Sequence, residues 1–308
     1  MANEDHLEQL LRDVQVWEQW RVENPNIIPD LVSASLVKAN LSGANLSRVM
    51  LQDSDLLEAD LSGANLSGAN LSRTILIEAN LINSTLLEAD LSAAHLNRAN
   101  LCGANLIEAD LSTANLNQTN LKQAILIKAN LSTATLMGAD LEEAVLVETS
   151  LIRANLRQAN LSKASLNGAS MIEADLHGAN LIEADLNGTD LSDADFSNAK
   201  LNGAKLNGAN FTRTTLIGAM LKDANLSYAN LHGASLSQAN LSGADLTGTS
   251  FNGVDLDNTI LVGTINLNLD SIQAANHWEQ AIYDPEVYAA LGLERSDEGL
   301  TLRFESWA

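Results

Sequence analysis

Five Glu-Ala-Asp triplets, at 58–60, 88–90, 108–110, 173–175 and 183–185, set two carboxyl groups two residues apart. Paired carboxylates do general acid–base work when their surroundings drive their pKa values apart. The five histidines (His6, His95, His177, His232 and His277) are dispersed. Cys102 stands alone, which excludes an internal disulfide and a cysteine-based zinc site. No glycine-rich phosphate loop, nucleophile elbow or paired metal-ligand motif occurs. The carboxylates occupy the ordinary outward slots of a repeating pattern, so they read as solvated surface, not as catalytic pairs. A non-catalytic protein without cofactor or metal is expected.

That pattern is a large apolar residue at every fifth position from Leu31 to Leu261, 47 in all. Leucine holds 43 of them, and Met171, Phe196, Phe211 and Phe251 hold the rest. Two residues before each one after Leu31 stands Ala, or less often Thr, Ser or Val, and the residue just before is usually Asn or Asp. A period of five fits neither a helix, where the leucines would spiral by roughly 140° per step, nor a straight strand, where they would alternate faces. All can share one interior only if the chain turns a corner in every unit, as in a stacked solenoid. Of the 18 glycines, 16 lie two residues after the large apolar one, where a tight corner asks for a permissive backbone. The array has no proline, which suits coils whose amides bond to the coils on either side.

Segments such as Ala39-Asn40-Leu41-Ser42-Gly43-Ala44-Asn45-Leu46 resemble the pentapeptide-repeat family, over about three quarters of the chain. The resemblance implies an all-β solenoid, a right-handed quadrilateral β-helix with four units per coil. About 12 coils follow, and a rod ~57 Å long at roughly 4.8 Å per coil. The leading Trp-containing helix, followed by Asn24-Pro25 and Pro29-Asp30-Leu31, makes the chain look most like cyanobacterial members.

With four units per coil, residues 20 apart stack. Leu87, Ile107, Ile127 and Val147 then form a vertical apolar ladder, with Ile125 and Val145 beside it on the same face. Val37, Leu57 and Ile77 form a shorter ladder on the opposite face. A contiguous apolar patch marks an interface, while β-branched residues also simply favour strands; both readings stand. Glu173, Asp175, Glu183, Asp185, Asp190, Asp193 and Asp195 lie between Lys163 and Lys200 with no base among them. They read as an acidic patch facing solvent, a basic protein partner or a bound cation, though nothing fixes a cation's ligand geometry; Glu173 stacks on Asp193 and Asp175 on Asp195.

Three regions are expected: a capping helix and linker over 1–30, the repeat β-helix over 31–265, and a helical cap and tail over 266–308. Residues 3–23 read as one amphipathic helix with Asn3 as N-cap, ended by Asn24-Pro25. Residues 271–283 read as a second helix, and Asp284-Pro285 opens a third that Gly292 ends. All four tryptophans (Trp17, Trp20, Trp278 and Trp307) lie outside the array and suit the closing of its ends. The tail 300–304 alternates like a strand. The formal net charge is −22, and no run of about 20 apolar residues or secretory leader is visible. A cytoplasmic protein is expected, monomeric or a weak homodimer, with an unidentified protein partner and neither membrane nor direct nucleic-acid contact. The alternative, implied by resemblance, is a DNA mimic that inhibits or protects DNA gyrase. Against it, the array holds 24 acids and 13 bases, while a duplex of that length would carry over roughly 30 charges.

Overall fold

The computed structural model describes residues 2–293. Each unit of the array starts with a tight turn: the Ala34 amide donates to the Leu31 carbonyl at 3.0 Å. Ser33, the third residue of that turn, has φ 58°. A positive φ there, and not at the second turn residue, is the type II geometry. It recurs at every fifth residue from Ser33 to Gly263, whether the residue is glycine, Glu, Arg or Thr. The corner therefore favours glycine but does not require it. The neighbouring coils hold the other residues in this conformation against its ordinary cost of about 1–2 kcal/mol.

Between corners the backbone pairs with the coils above and below. Leu31 and Ser33 donate to the carbonyls of Met50 and Gln52, and Asp55 donates back to Ala34, at 2.8, 2.9 and 2.9 Å. Parallel one-residue bridges link residues 20 apart from Asp30–Met50 through Asp245–Ile265. The 20-residue register expected from the repeat is thus continuous. All 47 large apolar residues face the interior, each at most 1% exposed. The small residues two before them fill the remaining space. Where that residue is Thr, its hydroxyl donates to a leucine carbonyl 23 residues earlier: Thr119 to Leu96, Thr149 to Leu126 and Thr214 to Leu191, at 2.8, 2.6 and 2.7 Å. A buried hydroxyl without such a partner would be costly.

The N-terminal segment is two helices, α1 (Glu4–Arg12) and α2 (Val14–Glu23), and not the single helix expected over 3–23. Asp13 is fully extended and caps α2 by accepting from the Gln15 amide at 2.6 Å. The break lets α2 lie on the first coil. Trp17 is fully buried, and its indole N–H donates to the Asn45 carbonyl at 2.8 Å. Glu18 accepts from the Asn45 amide at 2.6 Å, and Arg21 donates to the Ser47 carbonyl at 2.9 Å. Asn3 caps α1 as expected, and its own amide donates to Asp30.

The C-terminal segment also departs from expectation. Only Leu269–Ile272 (α3) is helical within 271–283, apart from one 3₁₀ turn at Trp278–Gln280. The last coil offers unpaired backbone groups, and the chain meets them instead of coiling on itself. Asn276 bridges Asp255, and Ile282 bridges Ile260. The spacing has slipped from 20 to 21 and then 22 residues, so this pairing closes the array with an irregular turn. Helix α4 (Pro285–Leu291) has the expected bounds, with Gly292 as its left-handed C-cap. Asp284 does not cap it by its side chain; that carboxylate accepts from the Gly263 amide at 2.7 Å. Trp307 and the tail 300–304 lie outside the described residues.

Candidate protein-interaction surface

Each inward leucine is flanked by two outward side chains, one before and one after. On one face these flanking pairs run Thr85/Leu87, Asn105/Ile107, Ile125/Ile127 and Val145/Val147. The bridges Asn105–Ile125 and Ile125–Val145 fix one column. In the other, the amides of Glu88, Glu108 and Lys128 donate to the carbonyls of Ile107, Ile127 and Val147. The structure thus brings Leu87, Ile107, Ile125, Ile127, Val145 and Val147 together on adjoining coils of one face, all half-buried. The opposite face carries Val37, Leu57 and Ile77 as expected, and also Ile75, bridged between Asp55 and His95. Sequence reasoning missed Ile75, although the slot before an inward leucine was its signal.

The acidic cluster is arranged differently from its linear appearance. Bases from neighbouring coils reach four of its members. Arg153 binds Glu173 through two nitrogens at 2.7 and 3.0 Å, and Arg213 binds Asp193 in the same forked way. Arg157 approaches Asp175 at 3.1 Å and Lys205 approaches Asp185 at 3.4 Å. The forked guanidiniums hold the carboxyls of Glu173 and Asp193 below their ordinary values, although Asp193 stacked beside Glu173 opposes the shift there. Asp175, Asp185, Asp190 and Asp195 also brace the backbone, since each accepts the amide two residues on, at 2.8–3.2 Å. These carboxylates are components of the corners.

The chemistry that such groups permit is limited. Ser237 donates to Asp255 at 2.7 Å, and Asp255 meets the His277 ring Nδ1 at 2.8 Å. The carboxylate lies between hydroxyl and imidazole, so His277 is not placed to activate Ser237 as a base would be. Asp255 and His277 edge a shallow depression lined also by Asn276, Trp278 and Glu279. Among the described residues no three His, Cys, Asp or Glu side chains gather as a metal site.

The family model for pentapeptide repeats matches residues 30–59, 54–86, 86–123, 114–151, 149–188, 189–227 and 224–263. Among solved structures, HetL, a pentapeptide repeat protein involved in heterocyst differentiation regulation from the cyanobacterium Nostoc sp. strain PCC 7120, is 33% identical. That match covers 77% of this chain and 94% of HetL, with TM-score 0.26. Rfr23, a pentapeptide repeat protein from the cyanobacterium Cyanothece 51142, is 38% identical over 36% of this chain and 64% of its own, with TM-score 0.25. QnrB1, a plasmid-mediated fluoroquinolone resistance protein, is 18% identical over 74% of this chain and 94% of its own, with TM-score 0.33. A search of curated protein sequences found no match.

Proposed function

Because the chain belongs to the pentapeptide-repeat family, whose fold is a right-handed β-helix solenoid, we propose that it is a non-catalytic scaffold that binds another protein through a face of its rod. The observation that carries this reading is the patch of six apolar side chains from Leu87 to Val147. The interior beneath it is already filled, so these residues are not needed to complete a core, and a contiguous apolar surface is best explained by a partner. The rod has about 12 coils, with residues 2–30 and 266–293 acting as end caps that cover apolar side chains and open edges. It works as a monomer or weak homodimer in the cytoplasm; among the described residues no helix is long and apolar enough to cross a membrane. A regulatory role, of the kind stated for HetL, fits a protein whose chemistry is confined to its surface.

The test is a double substitution, Ile107→Ser with Ile127→Ser. Partner capture or self-association should be lost while the melting temperature stays within a few degrees, since both side chains are only half-buried. Unchanged association would remove the reading. The DNA-mimic alternative has less support, because many of the array's acids are neutralised by cross-coil pairs such as Asp53–Arg73 and Lys122–Glu142. Inhibition of gyrase supercoiling by micromolar protein would restore it.

A further inference from the structure

Resting on that scaffold reading, we propose that the occupant of the Leu87–Val147 face is an amphipathic α-helix with Lys or Arg bordering its apolar stripe. Three features of the face select it. First, the backbone there is spent: Leu106 and Leu126 donate to Ile125 and Val145 at 2.7 Å, and Glu88 and Glu108 donate to Ile107 and Ile127. A partner cannot add a strand to this face and must arrive with its own backbone satisfied, as a helix does. Second, the rungs repeat at ~4.8 Å along the rod. The apolar positions i, i+4, i+7 and i+11 of a helix step by about 4.5–6 Å. A helix of about three turns laid along the rod therefore meets Leu87, Ile107, Ile127 and Val147 in turn.

Third, one border is acidic. The column beside the ladder reads Glu88, Glu108, Lys128, Glu148, all exposed. Lys128 leans on Glu148 at 3.8 Å, while Glu88 and Glu108 make no ion pair among the described residues. The far border is mostly neutral, with Asn83, Gly103 and Gln123 followed by Glu143, to which Gln123 is bonded. A second copy of this chain would bring like charges together along the column, whereas a basic border on the partner complements it.

The probe is a fluorescein-labelled synthetic helix of 18 residues with a Leu/Ile stripe and Lys borders, and a twin with Glu in place of Lys. Anisotropy titration against the full chain should show the Lys peptide binding at least tenfold more tightly than its twin. Ile107→Ser with Ile127→Ser should weaken it at least tenfold. Glu88→Gln with Glu108→Gln should weaken it several-fold and flatten its salt dependence, while Glu58→Gln on the opposite face should leave it unchanged. Far-UV circular dichroism melts check that each variant is folded. If both peptides bind equally and both need Ile107 and Ile127, the basic-helix proposal fails and the apolar interface survives. If binding ignores Ile107 and Ile127, or neither peptide binds while Ile107→Ser with Ile127→Ser still abolishes capture of a native partner, the proposal fails as well.

Discussion

At the scale of single residues, the repeat works because each slot meets one physical requirement. The slot two before the leucine must be small, and where it is Thr the hydroxyl fills the second acceptor site of a leucine carbonyl in the coil below. Thr214→Val keeps the shape and removes that bond, so urea unfolding should shift by about 1 kcal/mol. Ala159→Leu at the same slot overpacks a fully buried position and should cost more, about 1–3 kcal/mol or an outright loss of cooperativity. A larger loss from Thr214→Val than from Ala159→Leu would contradict the assignment of the slot. The narrowness of the slot was legible in the sequence, since nothing bulkier than Val occupies it. The hydroxyl bonds were not, because their partners lie 23 residues away. A similar separation concealed the salt bridges: Glu173 and Arg153 are distant in the chain and adjacent in space, so a run of acids without bases looked like a bare patch.

At the scale of elements, a histidine fastens each end of the rod. At the C-terminal end, His277 meets Asp255, and the hydrogen bond to that carboxylate raises the His277 pKa above its ordinary value. Asp257 and Glu279 add to the shift. Burial pushes Asp255 up, but hydrogen bonds from His277, Ser237 and the Asp257 amide outweigh it and hold the carboxyl below its ordinary value. A raised imidazole pKa contributes stability that is complete below the ordinary histidine range and is lost as the pH climbs through the raised value. Amide exchange at Asn276 and Ile282, corrected for its intrinsic pH dependence, should therefore be slower near about pH 6 than near about pH 8.5, and His277→Gln should abolish the difference. At the N-terminal end the His6 ring accepts from the Asp30 amide at 3.0 Å. These end segments were only partly legible. Asn3, Pro285 and Gly292 announced helix boundaries by their own chemistry, whereas the break at Asp13 and the pairing of Asn276 and Ile282 depend on backbone groups left open by the terminal coils.

At the scale of the whole molecule, every unit is interchangeable with its neighbours, yet the surface is not, and this separates stability from recognition. The fold needs only a large apolar residue every fifth position, while the faces need residues a full coil apart to coincide. Deleting residues 111–115 keeps the leucine rhythm intact across the junction, since Asp110 is then followed by Leu116. It also turns everything downstream by one face. Leu87 and Ile107 stay where they are, and Ile127 and Val147 move to the adjoining face, so the patch is cut in two. Deleting residues 191–210 removes a whole coil from a region beyond the patch and leaves the ladder aligned. Both proteins should be folded, with melting temperatures close to that of the parent, because a solenoid's stability is approximately a sum over neighbouring units. Binding of the Lys-bordered peptide should be lost at least tenfold in the five-residue deletion and retained in the twenty-residue one. Equal binding by both would mean that the face from Leu87 to Val147 is not the docking surface; loss of folding in both would mean that the coils are less independent than their repeated hydrogen bonds imply.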